Sequence, residues 1–329
     1  MILAPTHASI TAAKDLLADG EVVVFPTETV YGLGANALRE SAVRKIYALK
    51  ARPATNPVIV HVADMLSLFE LIASGARKEL SLHLSKLEQF WPGPLTVVVP
   101  RAETVPDIVT AGKPSVGLRI PNHPVALELL KMCKFPLAAP SANRSNYISP
   151  TQAEHVEKQF KDKNLLILDG GTCEVGVEST VISLLTPTAP EILRPGGISA
   201  EQLSEALGVQ VPVKPNAAKS NAAQVSPGLM PLHYAPGTKT TFLRDIDVST
   251  LGDKRVGLVA FSRQRGALYP LNEVRVLSAT GDLNEVAHGL FAALYELDQL
   301  GLDMILVDTC EERGLGMAIM NRLKRAVTA

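Results

Sequence analysis

The sequence has few of the residues that mark a function based on cysteine or metal chemistry. Only three cysteines occur, Cys133, Cys173 and Cys310, and no CxxC pair or regular Cys/His spacing relates them. This pattern argues against a zinc site and against a disulfide framework. We therefore expect three buried free thiols and no metal ion held by a ligand set of the protein's own.

An excess of charge of one sign and long apolar runs are also missing. The chain carries 32 basic and 33 acidic residues, a net charge of -1, so no overall attraction to nucleic acid or to an anionic membrane is expected. No apolar run approaches the roughly 20 residues of a membrane span. The first residues lack the charged start and long apolar stretch of a signal peptide. Together these absences predict a cytoplasmic protein without membrane contact.

The common catalytic signatures are absent as well. The sequence contains no GxxxxGK[ST] phosphate loop, no HExxH, no GxSxG elbow and no protein-kinase set. Two short "GLG" stretches, at 32–34 and 314–316, are too short for a dinucleotide fingerprint. The first is expected to form a turn and the second to open a helix. Any chemistry must therefore come from polar residues that are scattered along the chain.

Segments with strand and helix patterns alternate along two parts of the chain. In residues 1–208 they predict an α/β domain with a mixed sheet. Residues 209–238 are rich in Pro, Ala, Asn and Ser without a sustained period, which predicts a linker longer than a routine connection. A second alternation in residues 239–329 predicts a smaller α/β domain of Rossmann-like type.

Five polar clusters follow or interrupt apolar segments of the first domain. They supply hydroxyl, amide and cationic groups, and no evident nucleophile or general base. The clusters are "FPTETVYGLGANA" (25–37), "LKARPATNP" (49–57), "PSVGLRIPNHP" (114–124), "APSANRSNYISPT" (139–151), and "GGTCEVGVEST" (170–180) together with "LRPGG" (193–197).

Several of these residues have an ordinary structural explanation, although a helix cap that would account for Ser149 does not account for Ser141 and Asn143. A solvated helix end would account for Lys50 and Arg52, a structural salt bridge for Arg119, and a satisfied core position for His61. Together, the four cations at successive strand ends suit a polyanion bound beside a small polar substrate; they are Lys50, Arg52, Arg119 and Arg194. Phosphoryl or nucleotidyl transfer fits this set, because there the protein mainly positions reactants and neutralises charge.

The motifs, in their order along the chain, closely resemble those of the YrdC-like threonylcarbamoyl-AMP synthases. The resemblance rests on "FPTETVYGLGANA", "KARPATNPVIVH", "FWPGPLTVV", "PSAN" and "DGGTCEVGVESTVI", and it covers nearly the whole chain. "SPGLMPLHYAP" and "GLGMAIMNRLKRA" resemble the longer members, which have two domains. The resemblance implies an open, twisted mixed sheet with helices, followed by a smaller Rossmann-like domain.

The resemblance also implies a reaction. The family is a class of nucleotidyltransferase that uses L-threonine, bicarbonate and ATP, with Mg²⁺ bound to the ATP, and makes threonylcarbamoyl-adenylate and pyrophosphate. The adenylate would pass to a separate transferase complex, which modifies an adenosine beside the anticodon of certain tRNAs. Direct contact of this chain with tRNA is expected to be weak or indirect.

Residue roles carry over from the matching motifs. Lys50 and Arg52 would hold the triphosphate and spread the charge that builds on the α-phosphate. The remaining nucleotide contacts would be Asn56, Ser115, Ser141, Asn143, Ser149, Arg194 and Tyr234. The threonine contacts would be Thr29, His61, Arg119, Ser179 and the backbone of Ala139.

Two segments receive structural roles in this interpretation. Residues 226–236, with His233 and Tyr234, are the candidate lid that keeps water from a labile carbamate; a passive tether is the alternative. The opening stretch would form a neutral wall of the threonine pocket, which Tyr31 shapes while Gly32 and Gly34 set a turn.

Two other functions compete with synthesis of the adenylate. An RNA-binding module of the same fold would bind with strong salt dependence, although the near-neutral charge and the absence of an aromatic stacking motif disfavour it. A carbamoyl-transfer maturation protein would carry Cys-rich zinc motifs and an acylphosphatase-like module, and neither is visible in the sequence.

Overall fold

The computed structural model describes residues 1–214, 234–269 and 271–327, and the structural statements below concern these residues. The strands are β1 (Ile2–Leu3), β2 (Val23–Phe25), β3 (Gly32–Asn36), β4 (Ile59–His61), β5 (Leu95–Pro100), β6 (Ser115–Arg119), β7 (Leu137–Ala138), β8 (Leu166–Leu168), β9 (Thr180–Ser183), β10 (Glu191–Arg194), β11 (Thr240–Phe242), β12 (Val256–Ala260), β13 (Glu273–Val276) and β14 (Met304–Val307). The helices are α1 (His7–Ala18), α2 (Glu40–Lys50), α3 (Met65–Glu70), α4 (Arg77–Leu87), α5 (Asp107–Thr110), α6 (Pro124–Cys133), α7 (Ala153–Gln159), α8 (Ala200–Leu207), α9 (Arg263–Ala267), α10 (Leu283–Asp298) and α11 (Leu315–Ala326).

The first ten strands form one mixed sheet in the order β1-β8-β2-β3-β7-β4-β6-β5-β9-β10. The pairs β4/β6 and β5/β9 run parallel, whereas β2/β3, β4/β7 and β9/β10 run antiparallel. This arrangement brings the ends of β4, β6 and β10 and the loops beside β7 and β9 to one region of the sheet, where the polar clusters of the sequence meet.

Alternate side chains of this sheet pack in two separate hydrophobic cores, one on each face. Val24 belongs to the larger core, with α2 and α4, whereas its neighbours Val23 and Phe25 belong to the core beneath α1 and α6. Successive residues of a strand point to opposite faces, so a strand buried on both sides reads as a continuous apolar run. This is why "VVF" lacks the alternation of a strand with one wet face.

The second part is a parallel four-stranded sheet in the order β11-β14-β12-β13. Its longest helix, α10, begins where the Asp282 carboxylate accepts hydrogen bonds from the backbone N–H groups of Asn284 and Glu285, at 2.8 and 3.2 Å. Such a cap satisfies donors that have no partner inside the helix. Within the described residues, no helix is both long and apolar enough to span a bilayer.

The two parts share one apolar core. Val30, Ile148 and Val177 of the first part pack in the same cluster as Leu290 and Phe291 of α10. Polar contacts surround this core; they are the stacking of His155 on Tyr295, with ring centroids 4.3 Å apart, and the hydrogen bond from Tyr147 to Asp298. The second part is therefore packed on the first as a domain core would be.

The predicted fold class, a mixed α/β sheet followed by a smaller α/β unit, is confirmed. The structure has β3 at Gly32–Asn36 and α8 at Ala200–Leu207, where no strand and no helix were predicted. Cys133 and Cys173 are buried free thiols as predicted, but Cys310 is only partly buried. Most of the predicted linker, including His233 of the candidate lid, lies outside the described residues.

The prediction that Gly32 and Gly34 set a turn is wrong. Both lie in β3, which pairs antiparallel with β2 and places them beside the Phe25 ring. A Cβ atom on Gly34 would lie 2.6 Å from a Phe25 ring carbon, and one on Gly32 would lie 3.3 Å from the same ring. The glycines are required for this close approach of strand and ring. The turn itself is ordered by Thr27, whose hydroxyl donates to the Val30 carbonyl at 2.7 Å.

Replacement of Gly34 by alanine should therefore destabilise the fold. Because the added methyl group cannot fit beside the buried Phe25 ring, we expect Gly34→Ala to lower the free energy of unfolding by about 1–3 kcal/mol. Gly75→Ala is the matched control, since a Cβ atom there meets nothing within 4 Å. Urea unfolding followed by circular dichroism measures both variants. Equal stability of the two variants would contradict this account of β3.

The contact between His155 and Tyr295 makes stability depend on pH. Burial, helped by the nearby Lys158 charge, lowers the pKa of His155 to about 4 in the folded protein, below the usual value of about 6.5. The unfolded chain therefore binds the proton more readily. The contribution of neutral His155 to the free energy of unfolding is therefore complete above pH 6.5 and is lost as the pH falls towards 4. The free energy of unfolding should fall by about 2 kcal/mol between pH 7 and pH 5 for this reason.

His155→Phe keeps an aromatic ring against Tyr295 but does not titrate. We expect its free energy of unfolding to fall less steeply than that of the parent protein between pH 7 and pH 5, as measured by urea titration at each pH. Identical pH slopes for the two proteins would show that His155 does not carry this dependence.

Candidate active site

A cavity lies where the strand ends of the large sheet meet. The turn between β2 and β3 forms one wall, and the end of β4, the end of β6 and the segment after β7 form others. The start of β9 and the end of β10 close the far side. Ligand sites of α/β proteins commonly form where strand ends leave such a crevice.

The cavity brings together residues that are far apart in the sequence. All five residues assigned to threonine line it, and so do four assigned to the nucleotide. These residues are Thr29, His61, Arg119, Ala139 and Ser179, and Arg52, Ser141, Arg194 and Tyr234. Most belong to sequence clusters that could each be explained structurally, so their meeting in one cavity is the stronger observation.

Arg119 is the last residue of β6 and is only 4% exposed. Its Nη2 lies 2.8 Å from a carboxylate oxygen of Glu28 and donates to the Thr29 hydroxyl at 2.9 Å. Its Nε is buried and has no hydrogen-bond partner among the described residues. A guanidinium held on one side with an unsatisfied donor suits a carboxylate ligand, which accepts two parallel hydrogen bonds.

Arg194 occupies the opposite wall, at the end of β10. Its guanidinium donates to the Ser179 carbonyl at 3.0 and 3.2 Å and to the Ser179 hydroxyl at 3.1 Å. The Ser179 hydroxyl is also 2.8 Å from that of Thr96. These contacts fix the backbone at the start of β9. Burial lowers the pKa of Arg194.

His61 supplies a neutral polar surface between the arginines. It ends β4, and its ring packs edge-on against Phe25 with centroids 6.0 Å apart. Burial, reinforced by the positive charge of Arg119, lowers the pKa of His61 to about 3. The imidazole is therefore uncharged at neutral pH and adds no further positive charge to the cavity.

Lys50 and Arg52 flank Ala51, which takes a left-handed conformation (φ 51°) at the end of α2. Arg52 lines the cavity and donates to the carbonyls of Asn56 and Pro57 at 3.0 and 2.7 Å. Burial lowers the pKa of Arg52 to about 10, so the guanidinium is still cationic at neutral pH.

Lys50 is not among the residues that line the cavity. Its ammonium donates to the Ser141 carbonyl at 2.6 Å and to the carbonyl of Asn143, and so ties α2 to the loop after β7. Burial and the Arg52 charge hold the pKa of Lys50 well below its usual value. In this conformation Lys50 supports the cavity from behind, through Ser141.

Four other residues assigned to the nucleotide also lie outside the cavity lining. Asn56 and Asn143 sit beside it, bonded to Arg52 and Lys50 respectively. Ser149 donates to Glu178 at 2.5 Å. Ser115 lines a smaller neighbouring cavity that shares Ile59 with the first. Tyr31, expected to shape the wall, instead turns away and donates to the Gly171 carbonyl at 2.8 Å.

The two carboxylates of the site were not among the predicted residues. Glu28 pairs with Arg119 from behind, whereas Glu178 is itself part of the cavity lining. Both belong to the quoted polar clusters, next to Thr29 and Ser179, so their position was a usable signal. The emphasis on anion binding left these acidic residues without a role.

A metal site is not evident in the same region. Within residues 1–214, 234–269 and 271–327, no three His, Cys, Asp or Glu side chains are placed to hold a metal ion. The one lining carboxylate, Glu178, is already engaged by Ser149. The available donors are hydroxyl groups and guanidinium groups, and this chemistry favours anions.

Comparison with known proteins agrees with the motif resemblance. The Sua5/YciO/YrdC family model, described as "Telomere recombination", matches residues 15–196, and the model "Threonylcarbamoyl-AMP synthase, C-terminal domain" matches residues 198–328. A threonylcarbamoyl-AMP synthase of Pyrococcus abyssi is 42% identical over 96% of this chain and 93% of its own length. One of Bacillus subtilis is 39% identical over 98% and 94%.

A solved structure extends the agreement to three dimensions. The crystal structure of P. abyssi Sua5 complexed with L-threonine superposes with a TM-score of 0.88 at 39% identity, covering 100% of this chain and 98% of that one. The family suggested by the motifs is confirmed: the chain belongs to the threonylcarbamoyl-AMP synthase family, in the form that carries the C-terminal domain.

Proposed function

We infer that the protein is an L-threonylcarbamoyladenylate synthase, which converts L-threonine, bicarbonate and ATP into threonylcarbamoyl-AMP and pyrophosphate. One observation carries this function furthest: a single cavity is lined by every residue assigned to threonine and by two cations assigned to the nucleotide, Arg52 and Arg194. The family relationship over the whole chain supports the same reaction.

Arg119 is proposed to bind the threonine carboxylate. Its Nε is unsatisfied, and the guanidinium is oriented by Glu28 and Thr29. A carboxylate would complete the hydrogen bonds of this buried cation, which otherwise remain incomplete at a free-energy cost. The remaining wall, formed by His61 and Ala139, offers small and neutral surface to the rest of the amino acid.

The triphosphate is proposed to lie against Arg52 and Arg194. Both guanidiniums are buried in the cavity wall, where charge interactions are stronger than in water. Lys50 reaches the same region through Ser141, and the smaller cavity beside Ser115 extends the space available to the nucleotide. Mg²⁺ is proposed to arrive with ATP, held by phosphate oxygens and water, because the cavity offers no free carboxylate pair.

The reaction needs positioning more than it needs acid or base chemistry. The unprotonated amine of threonine attacks carbon dioxide derived from bicarbonate and forms a carbamate. A carbamate oxygen then attacks the α-phosphate, and the bond to the leaving pyrophosphate breaks. The arginines compensate the charge that moves onto the pyrophosphate, and burial of the cavity keeps water from the labile carbamate.

Later steps are assigned to other proteins. We propose that the adenylate passes to a separate tRNA threonylcarbamoyl transferase, which would modify an adenosine next to the anticodon. The net charge of -1 gives no general attraction to tRNA, so contact with the nucleic acid is proposed to be weak or indirect. Tyr234 of the candidate lid lies in the cavity wall, and residues 226–233 lie outside the described residues.

The reaction itself is the first test. The full chain, incubated with ATP, Mg²⁺, bicarbonate and each amino acid in turn, should release pyrophosphate with threonine and form threonylcarbamoyl-AMP, detected by mass spectrometry. The absence of both products would contradict this function. If the chain instead binds RNA with a steep salt dependence and releases no pyrophosphate, it is an RNA-binding module.

Replacement of Arg119 tests the threonine subsite. Lysine keeps the charge but not the two parallel donors, so Arg119→Lys should raise the KM for threonine by about tenfold, as expected for the loss of a charge-assisted hydrogen bond. The KM for ATP should change little. Arg101→Lys is the control, because Arg101 pairs with Asp107 outside the cavity lining. An unchanged KM for threonine in Arg119→Lys would remove Arg119 from this role.

A further inference from the structure

We propose that Arg322, in the last helix of the second part, is a positioning residue of the active site. It holds Glu178 away from the phosphate-binding arginines, so that the cavity keeps its positive charge for ATP. This inference rests on the proposed function and adds a specific task for the C-terminal part in nucleotide binding.

Arg322 is placed to act across the boundary between the two parts. It lies in α11, 0% exposed, and its Nε is 2.7 Å from a carboxylate oxygen of Glu178. Its Nη2 donates to the Glu178 carbonyl at 3.2 Å, and its Nη1 donates to the Pro195 carbonyl at 2.7 Å. One side chain of the second part therefore contacts two segments of the cavity wall.

The carboxylate that Arg322 binds is part of the cavity. Glu178 lines it directly before Ser179, and its second oxygen accepts a hydrogen bond from Ser149 at 2.5 Å. Burial alone would raise the pKa of Glu178, but the neighbouring guanidiniums of Arg322 and Arg194 outweigh burial and lower it. Glu178 is therefore an anion within a site that must accept a polyanion.

The second contact of Arg322 fixes the segment that follows Arg194. Pro195, whose carbonyl it binds, immediately follows that arginine, and Gly196 packs directly on the backbone of the Glu178–Thr180 segment. A Cβ atom on Gly196 would lie 2.2 Å from the Thr180 nitrogen. Loss of Arg322 would thus release two groups next to Arg194, namely the loop that begins at Pro195 and the Glu178 carboxylate.

The charge balance explains why this matters for the nucleotide. With Arg322 present, the negative charge of Glu178 is neutralised from outside the cavity. Without Arg322, the Glu178 carboxylate loses its main partner inside the protein. Arg194 is the other cation whose charge already lowers the pKa of Glu178. Pairing with Arg194 would remove one of the two lining cations proposed to bind the triphosphate, and the carboxylate would also repel the incoming phosphates.

Tyr234 provides a further link between Arg322 and the cavity. Its ring lines the cavity, lies 5.5 Å from the Arg322 guanidinium and stacks on Phe291 with centroids 5.6 Å apart. A guanidinium over an aromatic face is attractive. Arg322 thus also supports the wall that Tyr234, near the end of the predicted linker, contributes to the site.

The experiment compares full-length variants in the pyrophosphate assay. Arg322→Met removes the guanidinium, Arg322→Lys keeps the charge, and Arg322→Met/Glu178→Gln removes both charges together. Arg265→Met is the matched control, because Arg265 also pairs with a buried carboxylate, Asp308, but within the second part. Circular dichroism and thermal melting check that each variant is folded.

We expect Arg322→Met to raise the KM for ATP by about tenfold or more, because Glu178 would then pair with Arg194 and cost the phosphates one charge-assisted hydrogen bond. The KM for threonine should change far less. Arg322→Lys should restore part of the ATP affinity, and the double variant should restore more, because no unpaired carboxylate then faces the phosphates. Arg265→Met should keep both KM values.

Two results would overturn the proposal. A lower kcat with both KM values unchanged would assign Arg322 a purely structural role, and a double variant that binds ATP no better than Arg322→Met would exclude the charge argument. If Arg322→Met does not fold, Arg322→Lys and the double variant make the same comparison with the parent protein.

Calorimetric binding of a non-hydrolysable ATP analogue to the same proteins separates this inference from the proposed reaction. If the parent protein releases no pyrophosphate, the reaction is wrong. The proposed role of Arg322 is then decided by whether its loss weakens binding of the analogue.

Discussion

Buried positive charge is the constraint on which the rest of the site depends. Arg52, Arg119 and Arg194 are each less than 9% exposed, and Lys50 is 1% exposed. Removing such groups from water is costly unless partners replace the lost hydration. Backbone carbonyls supply part of that compensation for Lys50 and Arg52, and two carboxylates, Glu28 and Glu178, supply charge.

The compensation is incomplete among the residues that line the cavity. Glu28 lies behind Arg119, which retains an unsatisfied Nε. Glu178 is bound from outside by Arg322 and so leaves Arg194 and Arg52 with net positive charge in the wall. A carboxylate and a polyphosphate are the ligands that such a wall accepts most readily. The substrates thus complete an electrostatic arrangement that the protein leaves open.

In this arrangement, the second part contacts the residues that line the cavity. The apolar core shared by both parts brings α10 and α11 against the segment before β9. That contact brings Arg322 to Glu178 and Tyr234 to the cavity wall. The C-terminal part therefore contacts the site directly.

The sequence predicted much of the fold because buried strands and amphipathic helices leave regular apolar patterns. In "ESAVRKIYALK" (40–50), Val43, Ile46 and Tyr47 fall at helical spacing, which predicts the helix that the structure has as α2, Glu40–Lys50. β3 was not recognised because its glycines, read as turn residues, are required for close packing on Phe25. All five residues that the family motifs assign to binding of the substrate threonine line one cavity, although their individual roles stay predictions. Arg322 left no local signal, since it meets Glu178 only after the chain has folded, 144 positions apart.

A structure determined with L-threonine and a non-hydrolysable ATP analogue tests the central claim most directly. The account predicts the threonine carboxylate within hydrogen-bond distance of Arg119 Nε and the triphosphate against Arg52 and Arg194, with Glu178 still bound to Arg322. Threonine bound away from Arg119, or a triphosphate held outside this cavity, would contradict it.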